Sequence, residues 1–177
     1  MLADCREIIR QVRIASNLEE ALAILVRRVK DSLPVDAFAV YLTGAEAGQY
    51  VLKASDPARP ESTRHVRSGA QAGLVGLVGE LRELVVLDNA SAHPRYAAAA
   101  ETGGHHFDGF LGVPLIHYHD VLGILVAWKQ IRGQFNKDET SFFVTIAAQL
   151  AKVIYEASSL ENVVERLRNE SVEDAFI

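Results

Sequence analysis

The 177-residue chain predicts an α+β domain, a central antiparallel sheet of five to six strands with terminal helices on one face and a loop-covered pocket on the other. Three observations carry that prediction. Apolar residues recur at helical spacing at both ends of the chain. Between them lie short apolar runs bounded by glycine, proline and polar clusters, the pattern of strands. A long polar stretch, residues 88–109, interrupts those strands, and long connections inside compact domains often carry function.

The elements follow in order. Leu2, Cys5, Ile8, Ile9 and Val12 form one helical stripe. Ser16 and Glu19 have the spacing of a capping box ahead of a second stripe of Leu18, Leu22, Leu25, Val26 and Val29, which Pro34 closes. Residues 37–42 and 50–54 read as strands joined through a turn at 44–48, residues 55–61 as a loop containing Pro57 and Pro60, and 65–67 as a short strand. Residues 73–81 suggest a short helix despite three glycines, and 84–87 a buried strand. Residues 110–116 and 121–130 form a hairpin across the polar turn 117–120, with Pro114 at an edge or bulge because it donates nothing to a ladder. Asn136, with Asp138 and Glu139 behind it, starts the closing helix.

That helix carries a heptad seam, Ile146, Leu150, Val153, Ala157, Leu160, Val164 and Leu167. Phe142, Phe143, Ala147 and Ile154 widen its first half beyond a dimer seam. The reading is that early turns pack on the domain while later turns pair with a second copy, giving a homodimer. In a parallel pair Glu156 would face Glu161 of the partner, so the flanking charges leave the orientation open.

Composition excludes several classes. The net charge is −5, which supplies no basic footprint for nucleic acid. The apolar runs fall far below the roughly 20 residues that span a bilayer, so no membrane partner is expected. One cysteine, Cys5, allows no internal disulfide and no cysteine-rich metal cluster; with no secretion signal at the start, the reading is a cytoplasmic protein. Cys5 lies on the apolar stripe, where it reads as a small core residue rather than a reactive thiol. Gly73, Gly76 and Gly79 match neither phosphate-loop pattern and read as close packing of helix on sheet. His117 and His119 read as exposed turn residues with no third ligand nearby, and His105 and His106 point apart. No catalytic residue, cofactor or metal site is expected.

The run Gly73-Leu-Val-Gly76-Leu-Val-Gly79, residues 84–87, Asn89 and His93-Pro94-Arg95-Tyr96 resembles the middle of GAF domains. Residues 110–116 and 121–126 resemble their core hairpin, and Phe135 with Ala147-Ala-Gln-Leu150 their closing helix. Residues 6–8, 20–26, 40–42, 73–79 and 110–114 further resemble the amino-terminal domain of nitrogen-type phosphotransferase system enzyme I, a family of phosphoenolpyruvate–protein phosphotransferases. The resemblance implies a GAF domain over residues 1–157 and a helical linker, 158–177, toward a catalytic half absent from this chain. It also implies a regulatory role in nitrogen status, with glutamine as the small-molecule effector. The family's phospho-accepting histidine stands in Gly-Gly-x-x-Ser-His, and Gly103-Gly104-His105-His106 is not that motif, so this chain by itself is not expected to be an enzyme.

Glutamine would bring an ammonium, a carboxylate and an amide into a confined space, and each unpartnered polar group there costs about 2–7 kcal/mol. Asp88 is the candidate partner for the ammonium, Arg95 for the carboxylate and Asn89 for the amide. Tyr41, Tyr96, Phe107, Phe110 and Trp128 are the candidate apolar walls. GAF domains usually carry an acid where this chain has Asn89, although Asp88 adjoins it.

Overall fold

A computed structural model of the protein describes residues 2–58, 65–66, 73–96, 106–131, 133 and 135–174. The elements are α1 (Leu2–Arg13), α2 (Leu18–Ser32), β1 (Ala37–Thr43), β2 (Tyr50–Asp56), β3 (His65–Val66), α3 (Gly73–Leu81), β4 (Val85–Leu87), β5 (Gly109–His117), β6 (Asp120–Lys129) and α4 (Lys137–Asp174). A 3-10 turn spans Ala90–Ala92.

All pairings are antiparallel, and the strand order is β3-β2-β1-β6-β5-β4. Two meanders, one from each half of the chain, therefore meet where β1 pairs with β6, from Ala37 opposite Trp128 to Leu42 opposite Gly123. The period of two in a strand sends alternate residues to opposite faces. Phe38, Val40, Leu42, Leu125 and Ala127 join the core beneath α1, α2 and α4, where Cys5, Ile8 and Val12 are also buried. Ala37, Ala39, Tyr41, Ile124, Val126 and Trp128 join a second core beneath α3, where Ala90, Tyr96 and Phe107 also pack. Because both faces are covered, β1 is buried along six of its seven residues and reads as a continuous apolar run.

Helix ends obey local chemistry with one correction. The cap of α2 is Asn17, not Ser16: its Oδ1 accepts from the Glu20 amide at 2.8 Å, and the Glu20 carboxylate accepts from the Ser16 amide at 2.7 Å. The expected Ser16–Glu19 pair is thus displaced by one residue, since asparagine caps as well as serine and brings Glu20 to the reciprocal position. At α4, Asn136 and Glu139 close the box in both directions at 2.8 Å.

Other corrections concern the sheet. Strand β2 runs on through Ser55 and Asp56, which read as loop in the sequence. Strand β4 forms the sheet edge, and Leu84 and Val86 are exposed rather than buried. An edge strand has one neighbour and one open side, so an apolar sequence does not enforce its burial. Of the expected 65–67 strand, Arg67 lies outside the described residues. Pro114 falls beyond the last β4 pairing, at Gly112, on the uncovered margin of β5.

The close approach of α3 to the sheet explains two glycines. A Cβ at Gly79 would overlap the Tyr50 phenol, with the ring Cζ 2.7 Å away, and a Cβ at Gly112 would overlap Val78 and the Phe110 ring. Replacing Gly79 by alanine is expected to destabilise the fold by about 1–3 kcal/mol, outweighing the gain of about 1 kcal/mol in helix propensity. Urea unfolding checks this, and in a Tyr50→Leu background the same change becomes neutral or stabilising.

Candidate functional site

The second core is the candidate site, and its centre is aromatic. Trp128, fully buried on β6, has its ring centroid 4.6 Å from Phe110, 5.9 Å from Phe107 and 6.2 Å from Tyr96. Strand pairing sets Phe110 directly opposite Trp128, and the returning excursion lays Phe107 and Tyr96 over them. Each aromatic pair contributes about 0.5–1.5 kcal/mol beyond its burial, so the cluster anchors an otherwise irregular segment. The Tyr96 hydroxyl accepts from the Phe107 amide at 3.3 Å, which joins the two ends of the excursion.

A polar cluster adjoins these rings. The Ser91 hydroxyl lies 2.7 Å from Asp108 Oδ1 and 3.1 Å from Asn89 Oδ1, donating between two acceptors. Backbone bonds lock the same residues: Ala90 N donates to Asp108 O at 2.6 Å, and Asp108 N to Lys129 O at 3.1 Å. His106 Nε2 stands 3.4 Å from Asp108 Oδ1. Ser91 and Asp108 did not stand out in the sequence. The signal for Asp108 is a lone acid between Phe107 and Gly109 at the mouth of an apolar strand.

The candidate polar residues separate. Asn89 joins the cluster and is half-buried, whereas Asp88 is exposed at the end of β4. Arg95 grips Glu80 at the end of α3 in a forked pair at 2.6 and 3.1 Å. This pair ties the excursion to α3, and the Arg95 hydrogen bond holds the Glu80 carboxyl below the usual range. Burial, with a contribution from Glu80, pushes the Tyr50 phenol up. Of the candidate walls, Tyr41, Phe110, Trp128 and Phe107 are buried in the second core and Tyr96 packs against it.

The residue after Trp128 faces the other way. Lys129 Nζ pairs with Glu139 at 2.9 and 3.0 Å, and Glu139, 5% exposed, also caps the start of α4. The Lys129 ammonium lies 4.5 Å from the Phe135 ring centre. One strand end thus touches the candidate site on one face and the long helix on the other.

The heptad seam divides along α4. Ile146 and Leu150 are fully buried against this chain's own sheet, Val153 packs against the same core, and Ala157 is half-buried. Leu160, Val164 and Leu167 are exposed, and Val163 beside them as well. His117 and His119 flank the hairpin turn, where Tyr118 has φ 55° and is exposed; the His117 ring packs on Tyr155 of α4 at 4.3 Å. Among the described residues no three His, Cys, Asp or Glu side chains are placed to hold a metal ion, and no helix is long and apolar enough to cross a membrane. His105 lies outside the described residues.

A six-stranded antiparallel sheet with terminal helices on one face and a short helix plus excursion on the other defines a GAF domain, and the GAF family model matches residues 17–154. The chain belongs to that family. It is similar in structure to the GAF domain of a phosphoenolpyruvate–protein phosphotransferase from Coxiella burnetii, with 35% identity, a TM-score of 0.82, and 91% of this chain and 96% of that one covered. The corresponding Acinetobacter domain gives 34% identity and a TM-score of 0.78 at the same coverage, 91% and 96%. Over 154 residues, 87% of this chain, it is 34% identical to an Escherichia coli protein of the phosphoenolpyruvate-dependent phosphotransferase system. The chain spans about a fifth of the length of the curated relatives it matches.

The Arg95–Glu80 tie has a pH signature. Because Glu80 titrates below its usual range in the folded state, its stabilisation is present above the unfolded carboxylate value and fades as pH falls below about 4. Glu80→Gln is expected to lower neutral-pH stability slightly, since the pair is solvent-screened, and to leave stability at about pH 3 unchanged, so that the decline between about pH 5 and 3 becomes shallower. Melting scans from pH 3 to 7 read this, and equal melting temperatures for the two proteins at neutral pH would reject it.

Proposed function

We propose that this chain is the regulatory sensor domain of a phosphoenolpyruvate–protein phosphotransferase of the nitrogen branch, working in the cytoplasm. It binds a small nitrogen metabolite, glutamine or a relative, between sheet and excursion, and modulates autophosphorylation of a catalytic half. The observation that carries the reading is the juxtaposition of the Asn89–Ser91–Asp108 cluster with the Tyr96–Phe107–Trp128 rings. An apolar wall beside a few fixed polar groups is what a small-molecule site needs. Similarity to phosphotransferase GAF domains at 34–35% identity supports the parent assignment.

In this reading the ammonium meets Asp108, half-buried and adjoining Asn89, rather than the exposed Asp88. Glu80 holds both terminal nitrogens of Arg95, so a ligand carboxylate that takes those nitrogens competes with the tie. Ligand changes the output only if it binds one arrangement of excursion and helices better than another. The connection runs from Trp128 through Lys129 and Glu139 into α4, whose turns from residue 158 onward serve as linker to the catalytic half and pair with a second copy.

A second reading has its own support. Tyr41, Phe110 and Trp128 are fully buried, as they would be in a ligandless module that only dimerises or docks. Titration calorimetry with glutamine separates the two, and the single tryptophan, Trp128, gives a fluorescence readout at the site itself. Saturable heat with a matching fluorescence change is expected. Neither signal at millimolar glutamine would discard that ligand.

The dimer has a separate test. Leu160→Glu combined with Val164→Glu is expected to convert a dimer to a monomer in sedimentation velocity with helical content kept. An unchanged profile would place the interface elsewhere.

A further inference from the structure

Trp128 Nε1 is buried and makes no hydrogen bond among the described residues. An indole N–H can only donate, so nothing but an acceptor satisfies it. Buried donors are nearly always paired, and an unpaired one costs about 1–3 kcal/mol, which makes this group an exception needing a cause. The Tyr96 hydroxyl, on a ring 6.2 Å from that of Trp128, receives the Phe107 amide but donates to no acceptor among the described residues. The buried deficit is that of the indole alone, and the half-buried Tyr96 hydroxyl stands near it with a proton to donate. The β1 residue paired with Trp128 is Ala37, and Ala39 follows on the same face, so the neighbouring strand presents small methyl groups there.

We infer that the site recognises its ligand through an acceptor oxygen, a carboxylate, placed against the indole N–H of Trp128, with the Tyr96 hydroxyl as second donor. This rests on the sensing reading above and adds the ligand's polarity at one named atom. A carboxylate is favoured over a neutral carbonyl because it accepts from both donors at once through two oxygens, and hydrogen bonds to an ionised acceptor are about twice as strong. Asp108, next in sequence to Phe107, carries the negative charge that a cationic group of the same ligand would meet. The ligand class is therefore a small carboxylic acid with an apolar or cationic remainder.

The single tryptophan makes the test direct, because the chain has one indole N–H resonance in a proton–nitrogen correlation spectrum. The full chain is titrated with L-glutamine, L-glutamate and acetate, and in parallel with L-glutaminol, in which the carboxylate of glutamine is an alcohol. The expected result is a saturable downfield shift of the indole proton with at least one carboxylate and none with glutaminol. Trp128→Phe, which keeps an aromatic ring but removes the donor, should weaken binding of that carboxylate by about tenfold or more. Heat with glutamine and an indole resonance stationary with every carboxylate would leave sensing in place and overturn this inference, assigning the N–H to a buried water. A shift with another carboxylate and none with glutamine would sustain the inference and remove glutamine. An indole resonance unmoved by every carboxylate overturns the inference whatever the calorimetry shows.

Discussion

The antiparallel pairing of β1 with β6 is the constraint on which the rest of the structure depends. It joins two meanders distant in sequence, and its register decides which residues face which core. A slip of β6 by one residue against β1 would carry Trp128, Val126 and Ile124 to the helix face and Ala127 and Leu125 to the site. Several features hold the register. Gly123 lets β6 approach β1 where a Cβ would strike the Tyr41 carbonyl. At the other end Asp36 clamps the strand, its amide donating to Trp128 O at 2.8 Å and its carboxylate accepting from the Gln130 amide at 2.7 Å.

The same register links the candidate site to the long closing helix α4. Consecutive residues of a strand face opposite sides, so Trp128 and Lys129 act on different layers through one peptide. Lys129 is satisfied by Glu139, and Glu139 is simultaneously the acceptor that ends the α4 cap. A mostly buried charge pair of this kind stabilises little by itself but is costly to break, which makes its geometry stiff. The pair thus ties the end of β6 to the first turn of α4. From there 38 helical residues extend about 57 Å, well beyond the turns that pack on the sheet.

Most of the fold is legible in the chain, for identifiable reasons. The helices at both ends announce themselves by period, and the hairpin by two apolar blocks around a polar turn. The errors fall where local rules tie or stop. Ser16 and Asn17 are both capable caps, and only the position of Glu20 separates them. Residues 84–87 are apolar enough for a buried strand, yet nothing in a three-residue pairing tells an edge from an interior. The site is less legible. Trp128 and Phe110 stand out as large rings on a hairpin, but Asp108 and Ser91 are ordinary loop residues until the excursion folds back and lays them side by side. Arg95 was expected to face a ligand, and its partner Glu80 is invisible as such because fifteen positions and a change of element separate them.

Sequence by itself determined the family, the helix–sheet–helix order, the lack of a phosphotransfer motif in this chain and the single tryptophan. These follow from composition, period and local motifs, which need no knowledge of what lies across the sheet. Tertiary structure decided which of the polar candidates converge, the division of the heptad seam into buried and exposed turns, and the burial of an indole donor without an acceptor. Those are relations between elements far apart in the chain. They exist only once the β1–β6 register has assigned each side chain to a face.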